Sequence, residues 1–88
     1  MIQFKAKSDT NPSKLASAIA HNIANSDIEI ACAGSNAVNA AIKGLIIAKK
    51  YTQNEDFKLH FDFFSIQEQG EDGQEFSITK VEVSKEDK

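Results

Sequence analysis

Residues 33–51, AGSNAVNAAIKGLIIAKKY, predict a glycine turn followed by a single amphipathic helix. Gly34 suits the turn because glycine adopts backbone conformations that other residues avoid. The helix is expected from about Ser35 to Lys50, with apolar residues at the three- and four-residue spacing of one helix face: Ala37, Val38, Ala41, Ile42, Leu45 and Ile46. The polar residues fall on the other side: Asn36, Asn39, Lys43 and Lys50. We therefore expect the apolar face to be buried.

Size and composition indicate one small globular domain. The chain has 88 residues, of which 41% are hydrophobic and 26% charged, values typical of a folded protein near the lower size limit for a single core. We expect one domain over residues 1–84 and a flexible tail at 85–88. No apolar run approaches the roughly 20 residues that a membrane helix needs. Cys32 has no partner for an internal disulfide, so a cytoplasmic location without membrane association is expected.

Alternation and helical spacing divide the chain into six elements. Asn11 suits the N-cap of a first helix and Pro12 its first position, and this helix is expected to end near Asn25. Strand patterns occur at residues 2–7, 27–33, 57–68 and 74–84. The order β-α-β-α-β-β predicts a two-layer α/β sandwich, in which two helices cover one face of a four-stranded mixed sheet.

The two long strands predict a hairpin that is apolar on both sides. A glycine-containing turn at residues 69–73 joins them, and a register that pairs Phe61 with Val81 and Ile66 with Phe76 aligns the change of phase in both strands. The distal half then turns four side chains away from the helices: Phe64, Ile66, Phe76 and Ile78. Leaving these four side chains in water would forgo about 6–12 kcal/mol of hydrophobic stabilisation. We therefore infer a partner surface, most simply that of a symmetric dimer. A strong twist that folds the tip back over the core is the alternative.

The sequence contains no catalytic or metal-binding constellation, and we do not expect an enzyme. His21 and His60 belong to different elements and have no Cys or Asp at ligand spacing. Cys32 alternates with Ile28 and Ile30, which predicts a small buried side chain. Gly34 precedes a helix N-terminus that can bind an anion, but an ordinary strand-to-helix turn capped by Ser35 or Asn36 explains the same residues more simply. No cofactor and no metal ion are expected.

The charge pattern limits nucleic-acid binding to a few contacts. The net charge is −3, and all ten basic residues are lysines, whereas strong non-specific binding depends on clustered positive charge. The first strand and first helix end side by side, so Lys7 and Lys14 are candidates for a shared phosphate-binding patch. Lys43 on the second helix is the third candidate. Solvated surface lysines are the alternative interpretation.

Three segments of the chain together resemble the stage V sporulation protein S family. They are Asn11-Pro12 with residues 15–20, the string Gly-x-x-Ala-Val-Asn-x-Ala-Ile-Lys within residues 34–43, and Ile-Ala-Lys-x-Tyr at residues 47–51. The similarity extends from the first strand through the final hairpin. Members are small cytoplasmic bacterial proteins that are linked to spore development and cell division and are considered regulatory. They are similar to the wider Alba group of dimeric nucleic-acid-binding proteins.

The resemblance implies an Alba-like fold, a homodimer and binding to DNA or RNA. Alba proteins typically carry a lysine pair just before the first-helix proline, where this chain has Thr10 and Asn11. They also place arginines around the glycine before the second helix, where this chain has Ala33 and Ser35. A regulator of development or cell division that binds a protein partner, and does not bind nucleic acid directly, is therefore the alternative.

Overall fold

The computed structural model describes all 88 residues and contains the six predicted elements in the predicted order. They are β1 (Ile2–Ala6), α1 (Pro12–Asn22), β2 (Ile28–Cys32), α2 (Ser35–Tyr51), β3 (Phe57–Gln69) and β4 (Glu75–Asp87). The strands form one sheet in the order β1-β2-β4-β3; β1 is parallel to β2, and the other neighbours are antiparallel. The two-layer α/β sandwich with an Alba-like order is confirmed. Neither helix has the length and apolar character needed to cross a bilayer.

The first helix begins where the sequence predicts and ends earlier. Asn11 Oδ1 accepts hydrogen bonds from the backbone N–H groups of Ser13 (2.9 Å) and Lys14 (3.2 Å), which satisfies two free donors of the first turn. The helix ends at Asn22 rather than near Asn25. The Asn22 carbonyl accepts from the N–H groups of both Asn25 and Ser26, and this turn directs the chain into β2.

The core lies between the two helices and the two central strands. Ile28 and Ile30 of β2 pair with Val83 and Val81 of β4, and all four side chains are fully buried. Cys32 belongs to the same cluster, as the alternation predicts. α1 and its C-cap residue contribute four buried apolar side chains: Leu15, Ala16, Ile19 and Ile23.

The buried face of α2 differs from the predicted stripe. Ile42 and Ile46 are 41% and 53% exposed, whereas Ala40 and Gly44 are buried. The cause is the close approach of α1, because a Cβ atom on Gly44 would lie 3.1 Å from Leu15 Cδ2 and 3.3 Å from the Pro12 carbonyl oxygen. The small residues of α2 therefore face α1, and the two isoleucines lie on its flank.

The predicted hairpin register is wrong by two residues. The turn occupies residues 70–74, where the Gly70 N–H donates to the Gln74 carbonyl at 2.8 Å and Gly73 has a φ of +81°. The centre of the turn therefore moves by one residue, which shifts every pair by two. Phe61 lies opposite Val83, and Ile66 lies opposite Ile78 instead of Phe76.

The last strand continues beyond the predicted boundary at residue 84. β4 extends to Asp87, which pairs with Phe57 at the start of β3. Lys85 Nζ donates to the Ala24 carbonyl at 2.6 Å, and Lys88 Nζ donates to the Gln53 carbonyl at 2.8 Å. Residues 85–87 are thus part of the sheet; the flexibility assigned to 85–88 stays a prediction.

Candidate functional site

The N-termini of both helices lie at one end of the sheet. β1 and β2 are parallel, and each leads from its carboxyl end into a helix. Gly34 precedes α2 with φ 89° and ψ 161°, and no side chain caps this helix terminus. The first N–H groups of α2 are therefore free donors, and the helix dipole adds partial positive charge to them.

A cleft of about 260 Å³ lies between the β1–α1 loop and the first half of α2. Its lining is polar and contains no carboxylate: Ser8, Thr10, Pro12, Asn36, Asn39, Ala40 and Lys43. Lys43 is its single charged residue. Thr10 Oγ1 accepts a hydrogen bond from the Lys7 N–H at 2.7 Å, and this contact holds the loop that forms one wall of the cleft.

The three predicted lysines do not line one common cleft. Lys43 lines the cleft. Lys14 is exposed in the first turn of α1 and does not line the cleft. Lys7 lines a separate hollow of about 210 Å³ with Lys5 and Ile78. The exposed carboxylate of Asp9 lies in the loop that follows Lys7.

Sequence reasoning did not assign a role to two amides that accompany Lys43 in the cleft. Asn36 and Asn39 are exposed and line it from α2. The spacing i, i+3 and i+7 from Asn36 to Asn39 and Lys43 brings the three side chains to one side of a helix. This spacing was the available signal, although it is equally typical of an ordinary solvent-exposed face.

The sheet face opposite the helices carries balanced charge. Lys80 Nζ lies 2.9 Å from Glu29 Oε1, and the two side chains are only 22% and 15% exposed. They line a hollow of about 370 Å³ together with Lys5 and Glu68. Because two carboxylates accompany the two lysines in this hollow, this face is a poor surface for phosphate.

The distal hairpin curls toward this same face. Glu68 of β3 lines the hollow beside Lys5 of β1, although β1 and β3 lie at opposite edges of the sheet. The hairpin is therefore strongly twisted, but its tip does not pack back over the core, because no residue from Phe64 to Ile78 is buried.

The predicted partner surface is only partly apolar. Phe64 and Phe76 are 37% and 43% exposed, whereas Ile66 and Ile78 are half-buried. The corrected register places Phe64 opposite Lys80 and Phe76 opposite Glu68. The role of these four residues in dimerisation stays a prediction.

The remaining titratable groups are scattered. His21 is exposed on α1. His60 Nδ1 lies 3.5 Å from Glu86 Oε2 on the exposed surface of the hairpin. Burial raises the pKa of the Cys32 thiol above its ordinary value, so this thiol is protonated at neutral pH. No three side chains of His, Cys, Asp or Glu come close enough together to hold a metal ion.

The chain matches one known protein family over almost its whole length. The family model for stage V sporulation protein S matches residues 3–85. The chain belongs to the stage V sporulation protein S family. The match covers nearly the whole sheet and both helices, and it confirms the resemblance seen in the sequence. A search of curated proteins returned no significant match. Family membership makes this chain a small regulatory protein related to sporulation.

Proposed function

We propose that this member of the stage V sporulation protein S family is a cytoplasmic, dimeric regulatory protein that binds DNA or RNA and is not an enzyme. The observation that supports this proposal is the cleft at the end of the sheet, where Lys43 lies among neutral hydrogen-bonding groups with no carboxylate in the lining. The free thiol of Cys32 is compatible with a reducing compartment.

The cleft supplies three kinds of contact for a phosphate group. The Lys43 ammonium contributes a positive charge, and the amides of Asn36 and Asn39 contribute neutral N–H donors. The uncapped N-terminus of α2 adds backbone N–H groups whose dipole favours an anion. All of these groups can contact the phosphate backbone, and such contacts carry no base sequence.

Binding through this surface is expected to be weak and sensitive to salt. The net charge of −3 repels a polyanion at long range, and Lys7 and Lys14 lie outside the cleft. On duplex DNA, each phosphate contact contributes a slope of about −0.9 to the dependence of log affinity on log salt concentration. We therefore expect a total slope of only a few units.

Fluorescence anisotropy with labelled duplex and single-stranded oligonucleotides tests the proposal. At about 50 mM salt, where screening is weaker than at physiological ionic strength, we expect binding to at least one of the two probes. Lys43→Gln is expected to weaken it and to reduce the salt slope on duplex DNA by about 0.9. Lys50→Gln is the matched control, because Lys50 is exposed on the same helix and does not line the cleft.

Two results would contradict nucleic-acid binding at this site. One is no change in anisotropy with either probe at low salt, with an intact fold by circular dichroism. The other is an equal loss of affinity in the Lys43 and Lys50 variants, because general charge rather than the cleft would then explain the binding.

A protein-interaction regulator is the second candidate function. Ile42, Ile46 and Phe63 form exposed apolar positions on the helix side of the molecule, and such surfaces are typical of protein–protein contacts. A folded protein that binds neither nucleic-acid probe at low salt would favour this second function.

A further inference from the structure

β1 forms one edge of the sheet, and its outer side has no strand partner. The Ile2 N–H donates to the Asp27 carbonyl at 3.0 Å, so the backbone groups of Ile2 face β2. Because backbone groups alternate between the two sides of a strand, those of Gln3 and Lys5 point to the outer side. The N–H and C=O groups of these two residues are therefore available to a further strand.

The free edge ends at Lys7. The Lys7 N–H donates to Thr10 Oγ1 at 2.7 Å, and the Lys7 carbonyl accepts from the Thr10 N–H at 3.1 Å. The β1–α1 loop thus uses both backbone groups of Lys7. A strand that adds to this edge therefore pairs with the five residues of β1, Ile2–Ala6.

The two faces of β1 have different chemistry. On the helix side, Ile2 and Phe4 pack against the core and are only half-buried, so part of each apolar side chain is exposed. On the opposite side, Gln3, Lys5 and Lys7 are exposed. An added strand would therefore meet apolar groups on one face and two ammonium groups on the other.

Lys5 and Lys7 form no ion pair within the chain. The hollow of about 210 Å³ that they share contains no carboxylate, and its other lining residues are apolar: Ala6, Ala31, Ala33 and Ile78. Glu29 on the neighbouring strand is already paired with Lys80 at 2.9 Å. Glu68 lines the adjoining hollow beside Lys5 without an ion pair. The two lysines therefore present positive charge directly beside the free edge.

The inner neighbour of β1 shows which sequence pattern suits this strand. Residues 28–30 of β2, Ile-Glu-Ile, pair with residues 2–4 of β1. The two isoleucines are buried on the helix side, while Glu29 lines a hollow on the opposite face. A strand on the outer side meets the same two faces of β1, with the positive charge of Lys5 and Lys7 added. Alternating apolar and acidic residues fit both faces.

A second copy of β1 does not provide this complement. Pairing two β1 strands would gather the Lys5 and Lys7 ammonium groups of both copies at one short junction, which is unfavourable. Lysines on an edge strand are a common protection against the pairing of identical chains. The charge of this edge therefore favours a different, acidic chain.

We infer that the β1 edge binds an extended acidic segment of a partner protein, which adds antiparallel to β1 as a fifth strand. In this orientation the residues opposite Gln3 and Lys5 exchange backbone N–H and C=O groups with them. These residues are the acidic ones, and their carboxylates lie beside Lys5 and Lys7. The apolar residues between them cover Ile2 and Phe4. Main-chain hydrogen bonds then provide affinity, and the alternating side chains provide selectivity.

This inference goes beyond the proposed nucleic-acid binding and does not depend on it. The β1 edge and its two lysines do not line the cleft that contains Lys43. The peptide titrations below contain no nucleic acid, so their outcome is independent of any binding in the cleft.

A capped heptapeptide of alternating valine and glutamate tests the pairing. Titration into the isotope-labelled native protein, followed by nuclear magnetic resonance, should give saturable binding with a dissociation constant of roughly 0.1–1 mM. The Gln3 and Lys5 amides should shift and exchange their hydrogens more slowly, because they gain hydrogen bonds to the peptide. The same peptide with lysine in place of glutamate is the control and should not bind. No shift at about 5 mM acidic peptide, several times the expected constant, would overturn the inference.

Methylation of the peptide backbone separates edge pairing from simple charge attraction. N-methyl groups on the glutamates remove the N–H donors that face Gln3 and Lys5, so binding should be lost. N-methyl groups on the valines point to the free side of the added strand, so binding should be kept. Equal binding of the two methylated peptides, or tighter binding of the glutamate-methylated one, would refute the antiparallel edge pairing.

Charge reversal in the protein tests the role of the lysines. Lys5→Glu should weaken binding of the acidic peptide about tenfold. Lys58→Glu is the matched control, because Lys58 is exposed on the other edge strand, and it should leave the dissociation constant unchanged. An equal loss in the two variants would mean that net charge governs binding, which contradicts the inference. So would displacement of the peptide by a thymidine oligonucleotide of equal charge, since this result would assign the lysines to phosphate binding.

Discussion

Gly34 is the residue whose backbone most constrains this fold. Its φ of 89° and ψ of 161° fall in a region that side chains strongly disfavour, and a Cβ atom there would meet no neighbour within 4 Å. Gly34→Ala should therefore destabilise the protein by about 1–3 kcal/mol through backbone strain alone. Urea unfolding measures this loss. Ser35→Ala, one residue later at an exposed position without a capping bond, should stay within about 0.5 kcal/mol; equal losses in both variants would refute the strain argument.

Cys32 gives the stability a dependence on alkaline pH. Because burial raises the pKa of its thiol in the native protein, the unfolded chain loses this proton first, near the ordinary pKa of about 8.5. Below that pH, Cys32 makes its full contribution to the free energy of unfolding. Above it, the native state binds more protons than the unfolded state, so the free energy of unfolding falls as the pH rises. The stability difference between the native protein and Cys32→Ala should therefore narrow between pH 7 and pH 10.

Urea unfolding at several pH values checks this effect, and lysine titration largely cancels in the comparison of the two proteins. Ile30→Val is the control, because it changes a neighbouring buried side chain and keeps the thiol. Its stability difference from the native protein should not vary with pH. A constant difference for Cys32→Ala as well would contradict the prediction.

At the scale of elements, the contact between α1 and α2 depends on the missing side chain of Gly44. Leu15→Ala alone should cost about 2–5 kcal/mol, because it leaves a cavity. A methyl group at Gly44 would occupy part of that space, since its Cβ points at Leu15 Cδ2 and Cγ. Leu15→Ala with Gly44→Ala should therefore cost at least about 0.5 kcal/mol less than the sum of the single variants. A double-mutant cycle by urea unfolding measures the coupling; additivity would mean that the helices do not meet there.

The elements themselves were predictable from local patterns, whereas their packing partners were not. Asn11, Pro12 and Gly34 carry local signals for helix starts, and the alternation around Ile28 and Ile30 marks a buried strand. The exposure of Ile42 and Ile46 depends on where α1 crosses α2, which no local period encodes. The hairpin register depended on whether the turn spans residues 69–73 or residues 70–74, and this shift of one residue displaced every pair by two. In the cleft, the sequence identified Lys43 but not the loop wall that Thr10 builds opposite it.

At the scale of the whole molecule, the hairpin extends beyond the sandwich as an arm. The chain measures 47 × 22 × 16 Å, and its radius of gyration of 13.5 Å exceeds the roughly 12 Å expected for a compact chain of this length. No residue from Phe64 to Ile78 is buried. The arm therefore depends on its ladder hydrogen bonds and has little of the apolar packing that stabilises the central strands.

This uneven packing predicts an uneven pattern of amide hydrogen exchange. Amides of β2 and of residues 79–83 in β4 should exchange only through global unfolding, while those of residues 66–78 should exchange through local opening at far lower free energy. Gly73→Ala sharpens the test, because a φ of +81° strains any other residue. This variant should speed exchange in the arm and leave the protection of β2 almost unchanged. Uniform protection along β3 and β4, or an equal effect of Gly73→Ala on β2, would show that the arm and the sandwich unfold as one unit.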